Sequence, residues 1–214
     1  MSLLERALPQ LVEGVRITLL LGVASFAIGA VLGLALALAR VGSIRPLRLV
    51  AVTYVSVFRG TPLLVQILLI YFGLPQLGMT IEAIPAAILA LSLNAASYLS
   101  ENFRAGLLGV DQGQREAAAS LGMGYAQALR RVILPQAVRI ALPGVGNRLI
   151  ALMKDTSLAS VVTVVELTRV AERVGSATFR YMEMFLVVAA IYWAVNTLLA
   201  VGQEALERRL ARAY

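Results

Sequence analysis

Lys154-Asp155-Thr156-Ser157 interrupts an apolar stretch that begins near Val138 and resumes at Leu158. Ionisable side chains inside such a run are costly and mark a site or pathway by default. A polar break there predicts a discontinuous helix, with freed amides and half-helix dipoles aimed at a small zwitterion. Asp155 can pair with an α-ammonium group, while backbone amides near Thr156 and Ser157 can take a carboxylate. The local alternative is that Lys154 and Asp155 neutralise each other. Asn94, Ser97 and Glu101 are spaced three and four apart, so one helix face carries all three. Asn94 and Ser97 serve either as donors along a pathway or as interhelical hydrogen bonds. Glu101 has Arg104 three residues on, which favours an ion pair. Arg59 is the strong charge of another apolar segment, and Gly60 and Pro62 beside it weaken the helix there. A gate or hinge is expected at that point, with Arg59 either anchoring backbone carbonyls or snorkelling to an interface.

The elements that must position these residues are membrane spans. Apolar residues make up 59% of the 214, charged residues 14%, and mean hydropathy is +0.82, far from an ordinary soluble domain. A hydrocarbon core about 30 Å thick needs roughly 20 apolar residues of helix. By that measure one all-α domain, 1–214, holds five spans at about 11–39, 50–74, 84–106, 138–165 and 182–203. Ala37-Leu38-Ala39 has the look of a signal-peptidase site, but the preceding apolar run is too long and Glu5 and Glu13 spoil a basic leader, so the first span is read as retained.

Net charge is +7, and lysine occurs only at 154. In a soluble chain that balance would suggest nucleic acid; here topology explains it, and no nucleic-acid partner is expected. The connections near 40–48 and 104–139 together with the C-terminal tail hold 11 basic residues, against 5 in the N-terminal segment and the 75–83 and 166–180 connections. The N-terminus is therefore expected outside and the C-terminus in the cytoplasm. In the 166–180 connection, Leu167, Val170, Ala171 and Val174 recur at helical spacing. That pattern predicts an outer-surface amphipathic helix lying on the headgroups or bearing on a docked protein.

On the cytoplasmic side, Asp111 can cap a helix whose third residue on is Gln114. Leu121, Tyr125, Ala128 or Leu129, and Val132 recur at helical spacing, predicting one amphipathic helix over about 114–131 that Pro135 stops. Glu116-Ala117-Ala118 and Gly122 put minimal side chains on it, permitting close approach of another backbone. A membrane-surface helix and a solvated connector remain the competing readings.

The chain lacks cysteine and histidine, which removes thiolate chemistry, the serine–histidine type of protease and most zinc sites, and no metal is expected. Gly144-Val145-Gly146-Asn147 approaches an aspartyl-protease pattern but ends in an amide, and no phosphate-binding Gly-x-x-x-x-Gly-Lys-Ser/Thr loop exists. The chain is not expected to be an enzyme.

Glu116-Ala117-Ala118, then Gly122, then Val132, Leu134 and Pro135, resembles the EAA signature of permease subunits of bacterial ABC importers. Phe58-Arg59-Gly60-Thr61-Pro62-Leu63-Leu64-Val65-Gln66 is similar to a segment of polar amino-acid uptake permeases, the histidine, arginine and glutamine type. Tyr98, Glu101, Arg104 and Gly106, and Lys154 to Leu158, fit the same pattern, which extends from about Val12 to Val201; Asn102-Phe103 departs from it. The resemblance implies a type I ABC importer permease of the bacterial inner membrane, with Glu116, Ala117, Ala118, Gly122 and Pro135 in a coupling helix docked on a separate ATPase. It also implies ATP and Mg bound by that ATPase, a second permease subunit, identical or homologous, and an extracytoplasmic amino-acid-binding protein. The alternative is an ATPase-independent oligomeric channel or secondary transporter, with Asp155 facing the axis.

Overall fold

The computed structural model describes residues 3–211, apart from the side chains of Leu4 and Ala211, and every regular element among them is helical. In chain order these are α1 (Leu3–Val41), α2 (Arg45–Gly60), α3 (Leu63–Leu68), α4 (Ala83–Leu108), α5 (Gln112–Ser120), α6 (Tyr125–Ala128), α7 (Leu134–Asp155), α8 (Leu167–Thr178) and α9 (Tyr181–Ala211). A π-helical turn and a 3-10 turn extend α3 to Leu77, a second π-helical turn joins α6 to α7, and a 3-10 segment, Thr156–Val162, follows α7.

α4 is the centre of the bundle. In its most apolar 18-residue window 61% of residues are buried, against 11% for α9, which leaves α9 on the periphery. Its inward face is built of small residues, Ala86, Ala87, Ala90, Ala95, Ala96 and Ser92. α1 meets them with Gly29 and Gly33, where an added Cβ would lie 2.9 Å from the Ala95 Cβ and the Ala96 carbonyl oxygen respectively. Gly-x-x-x-Gly at this crossing lets two backbones touch where no hydrophobic drive distinguishes protein from lipid. Gly106 plays the same part between α4 and α7, its absent Cβ 2.9 Å from that of Ala141.

Among the described residues three helices are long and apolar enough to cross a membrane, Glu5–Val41, Ala83–Leu108 and Tyr181–Leu210, or four if α2 and the α3 segment count as one bent span. Two of the five expected spans therefore differ from a plain apolar helix. The second, expected continuous over 50–74, turns through 106° between Gly60 and Leu63. Pro62 imposes this: it pushes Thr61 into extended backbone (φ −117°, ψ 146°) and is itself extended (ψ 135°). A Cβ at Gly60 would meet nothing within 4 Å, so close packing does not require that glycine. The fourth, expected over 138–165, starts earlier and carries Arg139, Arg148, Lys154 and Asp155 inside α7. The expected break at 154–157 is a tightening into 3-10 helix, and the Thr156 amide donates to the Leu152 carbonyl instead of being freed.

α8 also departs from expectation. Leu167, Val170 and Ala171 are buried against Ala7, Leu11, Met184 and Val188, so the apolar stripe seals α1 to α9 instead of facing headgroups.

Candidate functional site

Arg148 lies at the hub of a polar network between helices. Its Nη1 donates to Asp155 Oδ2 at 3.1 Å and its Nη2 to Asn94 Oδ1 at 3.0 Å. Asn94 Nδ2 donates in turn to Gln66 Oε1 (2.9 Å) and to the Phe58 carbonyl (3.2 Å). Gln66 Nε2 closes the chain on the Phe58 and Thr61 carbonyls and the Thr61 hydroxyl. The bend at Thr61-Pro62 is thus tied through Gln66 and Asn94 to α7. The bend leaves the last carbonyls of α2 without helical partners, and the two side-chain amides supply their donors. The Arg148 side chain is only 10% exposed, its Nε is buried without a hydrogen-bond partner, and its guanidinium carbon stands 4.7 Å from the centroid of the Tyr98 ring.

This geometry separates the residues expected to act together. Asp155 joins Asn94 through Arg148, not through Lys154, because neighbouring helical residues point about 100° apart whereas residues seven apart return to one face. Ser157 lies with Lys154 in a different groove, against Tyr192, Trp193 and Asn196 of α9. Thr156 is fully buried and its hydroxyl donates to the Met153 carbonyl, while the Ser97 hydroxyl donates to the Asn94 carbonyl. Both hydroxyls are thus satisfied within their own helices. Gln66 and Arg148 carry no site role in the sequence reading. The signal for Arg148 was present: an ionisable residue in an apolar run, seven before Asp155.

A second cluster lies further along α4. Glu101 accepts from Arg104 and is paired with Arg40 of α1 (3.0 Å) and Arg59 of α2 (3.1 Å). The expected Glu101–Arg104 pair is present, and Arg59 finds a carboxylate instead of backbone carbonyls. Tyr98 joins the two clusters, with the Arg59 guanidinium 5.4 Å from the ring that Arg148 also faces.

The 111–135 segment is an elbow instead of one helix. Asp111 caps α5 by accepting from the Gly113 amide (2.7 Å). The Gln114 side chain accepts from Gln136 and does not complete a capping box. At the other end Gly122 is left-handed (φ +72°), with its own amide bonded to Ala119 and that of Met123 to Ala118. These two bonds form the Schellman termination that ends α5. Within this chain a Cβ on Gly122 would meet nothing within 4 Å, so what asks for glycine here is the left-handed backbone angle. Pro135 does not stop a helix; it occupies the first turn of α7, where its missing N–H is harmless. Ala118 is buried, whereas Glu116, Ala117, Leu121 and Tyr125 face outward, the last two 76% and 80% exposed. Arg115 Nη2 braces the elbow by donating to the Leu107 carbonyl (2.7 Å).

Glu166, which stands just before the apolar stripe of 167–174, is fully buried. It caps α8, accepting from the Thr168 and Arg169 amides at 2.9 and 2.8 Å and from the Tyr192 hydroxyl at 2.8 Å. Burial holds its pKa above the ordinary 4.5, and the donors pull it only part of the way back. The folded chain therefore binds this proton more tightly than the unfolded one, and the contribution to stability is present below about pH 4.5 and fades as pH rises through the elevated value. Thermal unfolding of the detergent-solubilised chain should show its advantage over Glu166→Gln shrinking as pH rises from 4.5 towards neutrality. A difference independent of pH would contradict this reading.

Residues 29–212 match the family described as binding-protein-dependent transport system inner membrane component. The arginine transport system permease protein ArtQ of Bacillus subtilis (strain 168) is 41% identical over 204 residues, covering 95% of this chain and 93% of that one. The L-cystine transport system permease protein TcyB of the same organism is 44% identical over 205 residues, covering 95% and 88%. A chain from the crystal structure of an amino acid ABC transporter with histidines superposes with a TM-score of 0.92 at 43% identity, covering 98% of this chain and 99% of that one.

Proposed function

As this chain belongs to the binding-protein-dependent transport system inner membrane components, among the permeases of amino-acid ABC transporters, we propose that it forms half of the translocation pathway of an ATP-driven importer of polar amino acids. In this reading it is a single domain, with five passes in which the bent α2–α3 pair and the charged α7 are two. The N-terminus lies outside and the C-terminus in the cytoplasm. It pairs with a second permease chain above two ATPase subunits, which bind ATP and Mg, and receives its substrate from an extracytoplasmic binding protein.

The observation that carries the coupling role is the elbow at Gly122. It projects two large apolar side chains, Leu121 and Tyr125, into the open at the arginine-rich end of the bundle. Exposed apolar groups at an ordered tip favour burial against a partner. ATP-driven closure of the ATPases would push on α5, and the Arg115–Leu107 brace would pass that motion to α4. Gly60-Thr61-Pro62 supplies the hinge, and Arg59–Glu101 a contact that a gate can make and break.

The Arg148–Asp155 pair supports substrate recognition by partner exchange. A zwitterion brings a carboxylate for Arg148 and an ammonium for Asp155, so it can open the pair without stranding either charge in low dielectric. Arg148 has a spare buried N–H for this, and Asn94 orients its other edge. Thr156 and Ser157 then act through the 3-10 segment that sets the Asp155 direction, and Ser97 through the Asn94 carbonyl.

Affinity purification of a tagged copy from its native membrane, with mass spectrometry of the associated chains, tests the coupling role. An ATPase with a phosphate-binding loop should accompany the native chain and be lost from a Glu116→Lys, Gly122→Asp variant that still inserts. If neither preparation contains an ATPase, the ATPase-independent channel or secondary transporter replaces this reading.

A further inference from the structure

α1 ends and α2 begins at the end of the bundle where α4 gives way to α5, the cytoplasmic end in the reading above. Between the two helices runs a groove of about 240 Å³, walled by Leu32, Ala35 and Ala39 of α1, Leu47 and Val50 of α2, and Leu93 of α4. Tyr54 also lines it, but its hydroxyl already donates to the Leu93 carbonyl at 2.8 Å, so the lining offers hydrocarbon and no free polar group. Inside a bilayer such a concavity forfeits dispersion contacts unless an apolar chain fills it.

The groove opens at Ala39 and Leu47. α1 is uncharged from Ile17 to Ala39, about 35 Å of helix, and Arg40 follows at once, which puts this mouth at the edge of the hydrocarbon. Arg45 and Arg48 stand there, on the first turn of α2. Both are exposed, and their guanidinium groups have no ion-pair or hydrogen-bond partner among the described residues. No acidic residue occurs between Glu13 and Glu82, so the local chain supplies no counter-charge, and the neighbouring Arg40 is already paired with Glu101.

We propose that the groove binds an anionic phospholipid of that leaflet, with one acyl chain between α1 and α2 and the phosphate held by Arg45 and Arg48. Depth and charge together select this occupant. A guanidinium takes phosphate oxygens in a bidentate fork, while its methylene stem lies along apolar surface. A zwitterionic lipid would fill the groove too, but its own ammonium competes with the arginines for the phosphate. A second copy of this chain meeting the surface symmetrically would set arginine against arginine.

The test adds phosphatidylglycerol or phosphatidylcholine to the full chain, extracted in mild detergent with the subunits that accompany it, and reads lipid retention by native mass spectrometry. The native chain should retain phosphatidylglycerol at an about tenfold lower concentration than phosphatidylcholine, and excess inorganic phosphate should not displace it. Arg45→Gln with Arg48→Gln should remove that preference, whereas Arg45→Lys with Arg48→Lys should keep most of it. Ala35→Phe, which fills the groove from an exposed position, should weaken phosphatidylglycerol retention about tenfold with both arginines in place. A phosphatidylglycerol analogue with a photoreactive group in its acyl chain should crosslink to residues 32–39 and 47–54. Equal retention of the two lipids, or a preference that the glutamine substitutions leave intact, overturns the proposal. Displacement by inorganic phosphate with no effect of Ala35→Phe does so too, leaving a bare anion site, as does crosslinking of 32–39 to a second permease chain in place of the lipid.

Discussion

Arg148→Met should lower amino-acid uptake on the order of 100-fold in reconstituted vesicles while leaving ATPase assembly intact. Methionine keeps the apolar stem but removes the charge that Asp155 and Asn94 contact. A charge-assisted hydrogen bond is worth about 1.5–3 kcal/mol, so losing the one made to a substrate carboxylate weakens recognition by at least about tenfold, and losing the geometry around Asp155 adds to it. Removing one member of a mostly buried pair also costs about 3 kcal/mol of stability, because Asp155 keeps its charge without a partner. A double variant, Arg148→Met with Asp155→Asn, should therefore recover thermal stability relative to Arg148→Met without recovering uptake. Asp155→Asn by itself should impair uptake and leave ATPase assembly unaffected. Uptake at native rates in either single variant would reduce the network to a packing device that tethers α7 to the bend at Pro62.

Gly122→Val should abolish uptake without removing the chain from the membrane. The left-handed angle at Gly122 costs a non-glycine residue about 1–2 kcal/mol, and a β-branched one more. No side chain stands within 4 Å to clash, so the strain is purely conformational and is relieved by shifting the elbow. That shift moves Leu121 and Tyr125, which flank the turn and carry most of its exposed apolar surface. Gly122→Asn, a residue that tolerates this angle, should retain a substantial part of the activity. The ATPase activity of the assembled complex, compared with its uptake, is the measurement. Equal losses in the valine and asparagine variants would point to contact at position 122 instead of backbone angle.

What could be read from the chain before folding was whatever a single helix decides. Asp111 capping α5 depends on three consecutive residues, and the Glu101–Arg104 pair on a spacing of three. The apolar lengths of α1, α4 and α9 depend on composition over one segment. The likeness of 116–135 to ABC importer permeases agrees with the family match over residues 29–212, and that of 58–66 to amino-acid permeases with the arginine and cystine relatives. Gly122 by itself gave no sign of whether it serves contact, backbone angle or both, since each asks for glycine.

The tertiary structure decided the partnerships between helices. Helical periodicity puts Arg148, two turns back, and not Lys154 on the Asp155 face, but only the packing of α7 against α4 brings Asn94 to that pair. Glu166 and Glu172 share one amphipathic helix, yet packing buries the first under Tyr192 and leaves the second paired with Arg169 at the surface. The stripe of α8 would satisfy headgroups or a protein equally well in sequence, and it is α1 and α9 that cover it. Helical periodicity tells which side chains share a face. Which neighbour that face meets depends on close approach at Gly29, Gly33 and Gly106, on the 106° turn at Pro62, and on the summed packing of segments far apart in the chain.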